Sequence, residues 1–348
     1  MSDRRISPQR RACLPGQPAH WKTSKASCKK GDPVLAGQLI AEADGFVSAN
    51  IISSCSGKVK AIEERHTVNG GRATCIVIEN DGLFTLAPGV GTEHDDTSMS
   101  GPQILDAIKA AGIVGLGGAG FPTHVKLAPR NPEQIDYVIA NGSECEPYIT
   151  CDDQLMRTRS DGIVEGMRLV LRLFPNAKGV IAIEDNKPEA IAAMTKACAS
   201  DSNISVLEVK AKYPEGGERN LIGVVTGRQL RFGQLPADLG CVVCNVSSLN
   251  AIYRAVCKSE PLMTRLFTVS GDAVVKPHTM EVRIGTSCRE LLEAAGGIKP
   301  ECTAKKILCG GPMMGIAMST LDVPIAKNNN ALTILAEDEV ELAENQMT

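Results

Sequence analysis

The stretch Gly112–Lys126, GIVGLGGAGFPTHVK, sets glycines at 112, 115, 117, 118 and 120 and closes on a lysine. Glycine loses much conformational freedom on folding, so a cluster marks a backbone that turns tightly or approaches another group closely. Bare backbone N–H groups beside a helix N-terminus form an anion cradle, and Lys126 adds a fixed positive charge, which is phosphate-binding chemistry. A second stretch, IANGSECEPYITCDD (139–153), gathers Asn141, Ser143, Glu144, Glu146, Asp152 and Asp153. Amide and carboxylate groups beside glycine and proline are poorly placed for a core and suit hydrogen bonds to a polar ring or polyol chain. A third, KYPEGGERNLI (212–222), places Tyr213, Gly216, Gly217 and Glu218 together. The chain has only six Phe, four Tyr and one Trp, so Phe121 and Tyr213 at glycine loops offer faces for a flat ring system. Each loop alone reads equally as a solvated turn with capping acids. Three in succession converge on one site.

The elements that must carry these loops alternate. IDYVIANG, KGVIAIED and ISVLEVKAKYP read as strands, whereas DGIVEGMRLVLRLF and KPEAIAAMTKACA read as amphipathic helices. Ahead of them QILDAIKAAGI spaces Ile104, Leu105, Ile108 and Ile113 at a helical period. Alternating strands and helices predict a doubly wound α/β domain over 103–255, with ligands at the carboxyl ends of its strands. A helix precedes the glycine stretch where a dinucleotide fingerprint needs a strand, so this is not the ordinary motif. His124 follows the glycines and is read either as meeting a phosphate or as capping the next helix.

Residues 30–85 show short alternating strands broken by glycine and aspartate, an all-β unit. KKGDPVLAGQ and SGKVKAI there resemble the barrel-sandwich fold of lipoyl and biotinyl carriers, but the tip ADGFVSAN has no lysine to modify, so a structural role is expected. Residues 86–102 read as a linker. Residues 256–330 read as two strands, a helix and further strands, the order of a β-grasp unit. Residues 331–348 read as an acidic C-terminal segment, and 1–29 as a mobile or incomplete arm.

Composition removes several function classes. The formal net charge is −3 with 22% charged residues, so no basic excess points to nucleic acid. No apolar run approaches the roughly 18–20 residues that span a bilayer. The basic N-terminus has no apolar core of a secretory signal. Thirteen cysteines are too sparse for a disulfide scaffold in a chain of 348 residues, and a reducing compartment is expected. The CxxC pair Cys241/Cys244 encloses Val-Val and has no second pair, which favours a buried strand over a metal site.

GLGGAGFPTHVKL, NGSECEPYITCDDQLMR and YPEGGERNLI, in this order, resemble the flavin-binding fold of the NADH-oxidising subunit of respiratory complex I. The sequence is more similar still to the C subunit of Rnf-type ion-translocating electron transport complexes, over about residues 30–330. The resemblance implies a barrel-sandwich domain, an FMN-binding α/β domain and a β-grasp domain of the soluble-ligand-binding (SLBB) type. It implies that Gly115, Gly117, Gly118 and Lys126 hold the FMN phosphate and ribityl region. Asn141, Ser143, Glu144 and Glu146 would line the flavin, Tyr213, Gly216, Gly217 and Glu218 would form the opposite wall, and Asn245 would approach the phosphate. Phe121 would stack on an incoming NADH, with Glu146 and Glu218 orienting its ribose or amide. The implied activity is electron transfer between NAD(H) and ferredoxin, coupled to ion transport by membrane subunits. Ferredoxin or a flavoprotein subunit is the implied electron partner, on the cytoplasmic side of the cell membrane. The family also implies two [4Fe–4S] clusters held by CxxCxxCxxxCP motifs beyond the point where this sequence ends, so the chain is expected to be part of a longer protein, and whether it is active alone is left open. Two rivals stand beside this reading: an NADH-dependent cobalamin reductase, and a docking subunit that has lost electron transfer.

Overall fold

The computed structural model describes residues 5–6, 11–15, 24–68 and 70–336. The chain divides into two compact units, residues 89–145 with 152–261, and residues 1–88 with 146–151 and 262–348.

The first of these is built on four parallel strands in the order Ile204–Val209, Lys178–Glu184, Tyr137–Gly142 and Cys241–Asn245. Strands buried on both faces must be apolar throughout, and VIA, VIAI and CVVC supply that. Helix Glu218–Thr226 covers one face, with Leu221 and Ile222 packed against Ile139, Ala182 and Val243. Met167 of helix Ser160–Leu171 abuts Gly179 on the other face. Cys241 and Cys244, three apart in a strand, project to opposite faces. The helix Ser160–Leu171 crosses helix Val246–Lys258 so closely that a Cβ on Gly166 would lie 2.0 Å from the Leu249 carbonyl oxygen. The segment expected as a linker is tied to this unit from residue 89 onward: His94 N donates to Cys257 O and Arg172 pairs with Asp96 at 2.7 Å.

The other unit contains two small sheets and one large one. Strands Arg11–Pro15, Arg72–Asn80, Gly57–His66 and Pro33–Val34 form one small sheet; Lys25–Ala26, Leu39–Glu42 and Ile51–Ile52 form the second. This is the expected barrel sandwich. At the tip between Leu39–Glu42 and Ile51–Ile52, Asn50 Oδ1 accepts from Ala43 N and Ser48 Oγ from Asp44 N, and Phe46 is exposed. The large sheet runs Arg5–Ile6, His278–Arg283, Thr264–Ser270, Ala331–Ala336, Ala304–Cys309 and Ile316–Ala317. Helix Cys288–Ala294, opened by a Ser287/Glu290 capping box, packs Leu291 and Leu292 onto Phe267, Val282 and Leu332.

Two boundaries differ from the sequence expectation. The arm over 1–29 is not wholly outside the fold, because Arg11–Pro15 pairs antiparallel with Cys75–Glu79 and Arg5–Ile6 pairs parallel with Glu281–Val282. An unpaired strand edge leaves a row of N–H and C=O groups without partners, and these segments supply them. The β-grasp sheet also runs past residue 330, since Ala331–Ala336 is its buried central strand. The acidic residues 337–348 lie outside the described residues.

Candidate functional site

After helix Gly101–Ala110 the chain doubles back on itself. Gly115 N donates to Phe121 O at 2.8 Å and Thr123 N to Ile113 O at 3.1 Å, leaving residues 116–120 as a tip. Leu116 N donates to Ser248 Oγ at 2.9 Å, which pins the tip to helix Val246–Lys258. Gly117 lies on Asn245: a Cβ there would sit 3.0 Å from Nδ2 and 3.1 Å from Cβ and Cγ. Gly118 holds φ +145°, a conformation for glycine alone. Gly117 and Ala119 are exposed, and neither N–H makes a hydrogen bond among the described residues. These are the donors an anion cradle requires. Gly115 is not one of these donors, because its N–H is spent closing the loop on Phe121.

The four-residue helix Thr123–Lys126 carries the lysine inward. Lys126 Nζ donates to Glu218 Oε1 and to the Val243 carbonyl, each at 3.0 Å. Two expected site residues 92 positions apart thus meet at the carboxyl end of a strand. Burial raises the Cys244 thiol to about 11 against the opposing pull of Lys126, so it is neutral and unreactive. His124 sits inside the short helix, with Pro122 at the N-cap, so it does not cap that helix. Its Nδ1 is buried without a partner, and burial first, then Lys109, lowers its pKa.

Strand Tyr137–Gly142 delivers the second loop. Asn141 Oδ1 accepts from Ser143 N at 3.0 Å while its Nδ2 donates to Gly216 O at 2.8 Å. A Cβ on Gly216 would fall 2.4 Å from the Ser143 carbonyl oxygen, so the third loop closes on the second only because glycine stands there. Ser143 is buried, and its Oγ has no partner. Glu144 accepts from Asp152 N at 2.9 Å and Asp153 N at 3.1 Å, satisfying two orphan donors that open helix Cys151–Thr158. Lys187 Nζ donates to the Glu144 carbonyl at 3.3 Å and pairs with buried Glu184 at 3.1 Å, bracing this loop from below.

Asn141, Ser143, Glu144, Gly216, Gly217, Glu218, Lys126, Gly117, Gly118 and Asn245 therefore belong to one unit and gather at its strand ends. Tyr213 is 40% exposed on the third loop and Phe121 is half-buried at the neck of the first. Glu146 belongs to the other unit, where its Oε1 accepts from Met313 N at 2.7 Å and Met314 N at 3.2 Å and so holds the GGPMMG loop. Sequence reasoning missed Ser247, Ser248, Glu184 and Lys187. The two serines sit at the start of a helix directly after a strand, which is a readable capping signal; nothing local marks the other two.

An FMN-like group fits this set. The tip offers unengaged N–H groups, Lys126 stands at the end of the strand that leads to Asn245, and Ser143 Oγ is a buried hydroxyl without a partner among the described residues.

Comparison with known proteins agrees with the geometry. Residues 108–254 match the Nuo51 FMN-binding domain, residues 4–83 the RnfC barrel sandwich hybrid domain, and residues 266–317 the SLBB domain. The chain is 41% identical to the C subunit of the Na(+)-translocating ferredoxin:NAD(+) oxidoreductase complex of Acetobacterium woodii, across 90% of this chain and 71% of that one. It is 45% identical to the C subunit of the proton-translocating ferredoxin:NAD(+) oxidoreductase complex of Clostridium ljungdahlii, across 90% and 68%. It is 42% identical to the C subunit of the ion-translocating oxidoreductase complex of Pseudomonas aeruginosa, across 90% of this chain but 40% of that one. The crystal structure of an NAD+-reducing [NiFe]-hydrogenase in the air-oxidised state shares the fold at a TM-score of 0.57 and 22% identity, over 74% of this chain and 53% of that chain.

Proposed function

The chain belongs to the family of C subunits of ion-translocating oxidoreductase complexes, and from that premise we propose that it binds FMN at the strand ends of its α/β unit and accepts reducing equivalents from NADH there, or returns them. The observation that carries this reading is the glycine tip, whose exposed N–H groups at Gly117 and Ala119 are unengaged among the described residues and whose Gly117 is seated on Asn245. The whole complex then moves electrons between NAD(H) and ferredoxin with ion transport, as its relatives are named to do. Relatives at similar identity are named for sodium and for protons, so the reading extends to ion translocation and leaves the ion open. Among the described residues no helix is long and apolar enough to cross a membrane; the proposal takes the chain as a peripheral subunit held by membrane partners at the cytoplasmic face, because its relatives are named as subunits of ion-translocating complexes.

When bound, FMN supplies two-electron exchange with the nicotinamide and one-electron exchange with the next carrier. The chain supplies the rest. The N–H groups of Gly117 and Ala119 and the ammonium of Lys126 hold the phosphate. Lys126 is held in place in advance by Val243 O and Glu218, so its charge need not be recruited on binding. Ser143 Oγ and Asn141 give a hydroxyl and an amide to the ribityl and ring edge, and Gly216 and Gly217 keep the opposite wall thin. Phe121 covers the nicotinamide side, and Tyr213 adds an aromatic face to the opposite wall. No residue has to abstract a proton from carbon, consistent with a site built from donors rather than from a nucleophile and base.

The test is an anaerobic NADH titration of FMN-reconstituted protein, followed at the visible flavin band. Bleaching is the expected result. Protein that retains no flavin would remove the glycine tip from the site, and retained flavin that NADH leaves coloured would reduce the chain to a docking role.

A further inference from the structure

We infer that Asp152 is the positioning residue that sets the phosphate end of this site, acting through Asn245. The inference rests on the FMN reading above and concerns this chain's own hydrogen bonds. Asp152 is 7% exposed. Its Oδ1 accepts from Ser247 Oγ at 2.7 Å and its Oδ2 from Asn245 Nδ2 at 2.6 Å. Its own N–H is fixed by Glu144, which ties the carboxylate to the second loop. Bonds to an ionised acceptor are about twice as strong as neutral ones, and this one is shielded from water.

The consequence falls on Asn245, because a side-chain amide has a right and a wrong way round. Ser247 N donates to Asn245 Oδ1 at 2.9 Å, capping helix Val246–Lys258, while Asp152 takes the Nδ2 end. Exchanging the two ends would turn the amide oxygen toward a carboxylate and lose the cap. Both ends are therefore locked, and the locked nitrogen is the atom nearest to a Cβ position on Gly117. The glycine tip rests on a side chain whose orientation Asp152 decides. The tip is fastened to the same helix by Leu116 N and Ser248 Oγ, so tip, cap and carboxylate move together or not at all.

Asp152→Asn keeps the shape but sets an amide where Asn245 needs an acceptor. If the new amide turns its oxygen to Asn245, its NH2 donates to Ser247 Oγ, which accepts in place of donating. Both contacts then persist, but as neutral hydrogen bonds weaker than those to a carboxylate.

A positioning role at the phosphate end predicts a specific signature, which general loosening would not give. FMN and riboflavin differ only in the phosphate, so their affinities are measured side by side by quenching of flavin fluorescence. Asp152→Asn is expected to weaken FMN by about five- to tenfold, as charge-assisted hydrogen bonds become neutral ones, while riboflavin changes much less, so their affinity ratio falls. Ser247→Ala removes one donor to Asp152 and should lower the ratio in the same direction by a smaller factor, and it decides the matter if Asp152→Asn does not fold. An unchanged ratio in the folded variants overturns the inference. Wild-type protein that fails to prefer FMN overturns the FMN reading instead, so the two failures are distinguishable.

Discussion

Gly117→Ala tests the packing of the glycine tip most directly, because the structure separates three neighbouring glycines by cause. A Cβ on Gly117 would lie 3.0–3.1 Å from three atoms of Asn245, tighter than ordinary contact by a few tenths of an ångström. Asn245 cannot give way cheaply, since Asp152 and Ser247 hold its two ends. Overpacking of this kind costs about 1–3 kcal/mol. The lower entropy of an unfolded alanine returns about 0.4–1 kcal/mol to folding stability but does not enter the binding equilibrium. Where the overpacking opposes the binding conformation, about 1–3 kcal/mol corresponds to about a 5- to 150-fold rise in the FMN dissociation constant. Gly118→Ala meets nothing within 4 Å but must adopt φ +145°, and backbone strain there costs about 1–3 kcal/mol. Gly115→Ala meets Phe121 at 3.7 Å, an ordinary contact, and should be neutral or slightly stabilising. The assay is FMN fluorescence quenching, with thermal melting of the flavin-free proteins as the control for folding. If Gly115→Ala weakens FMN more than Gly117→Ala, or if Gly117→Ala binds like wild type, the packing argument is wrong.

Lys126→Ala should weaken FMN by about 1.5–3 kcal/mol through loss of a charge-assisted phosphate contact; because the Lys126–Glu218 pair is 32% and 40% exposed, the flavin-free melting temperature should barely move. A lysine variant with unchanged FMN affinity takes that residue out of the site. The depressed pKa of His124 gives a pH signature: below the ordinary value of 6.5 the unfolded chain takes up a proton that the folded chain resists, so stability falls as pH drops from there toward the folded pKa. His124→Gln should flatten that part of the stability profile in denaturant titrations, and an identical slope in both proteins would exclude His124 as its source. Glu146→Ala should speed hydrogen exchange at the Met313 and Met314 amides without altering FMN affinity, because its carboxylate accepts from both; a loss of flavin binding would return Glu146 to the ligand site.

Much of the α/β unit was legible because its signals are local. A strand buried on both faces has to be apolar along its whole length, and VIA, VIAI and CVVC announce it. The glycine tip was legible for the same reason, since positive φ and close approach restrict residue type at the position itself. The N-terminal strands were not, because Arg11–Pro15 becomes a strand only when the distant edge of Arg72–Asn80 offers it a ladder. Nor could local pattern divide tasks among the acids. Glu144 and Glu146 stand two apart in one polar loop, yet Glu144 caps helix Cys151–Thr158 and Glu146 holds amides 167 and 168 residues away. Asp152 finds its donors 93 and 95 residues away. The order of elements and the position of the glycine turn follow from local residue type. Which donors Glu146 and Asp152 hold follows from the fold, because those donors come from far along the chain.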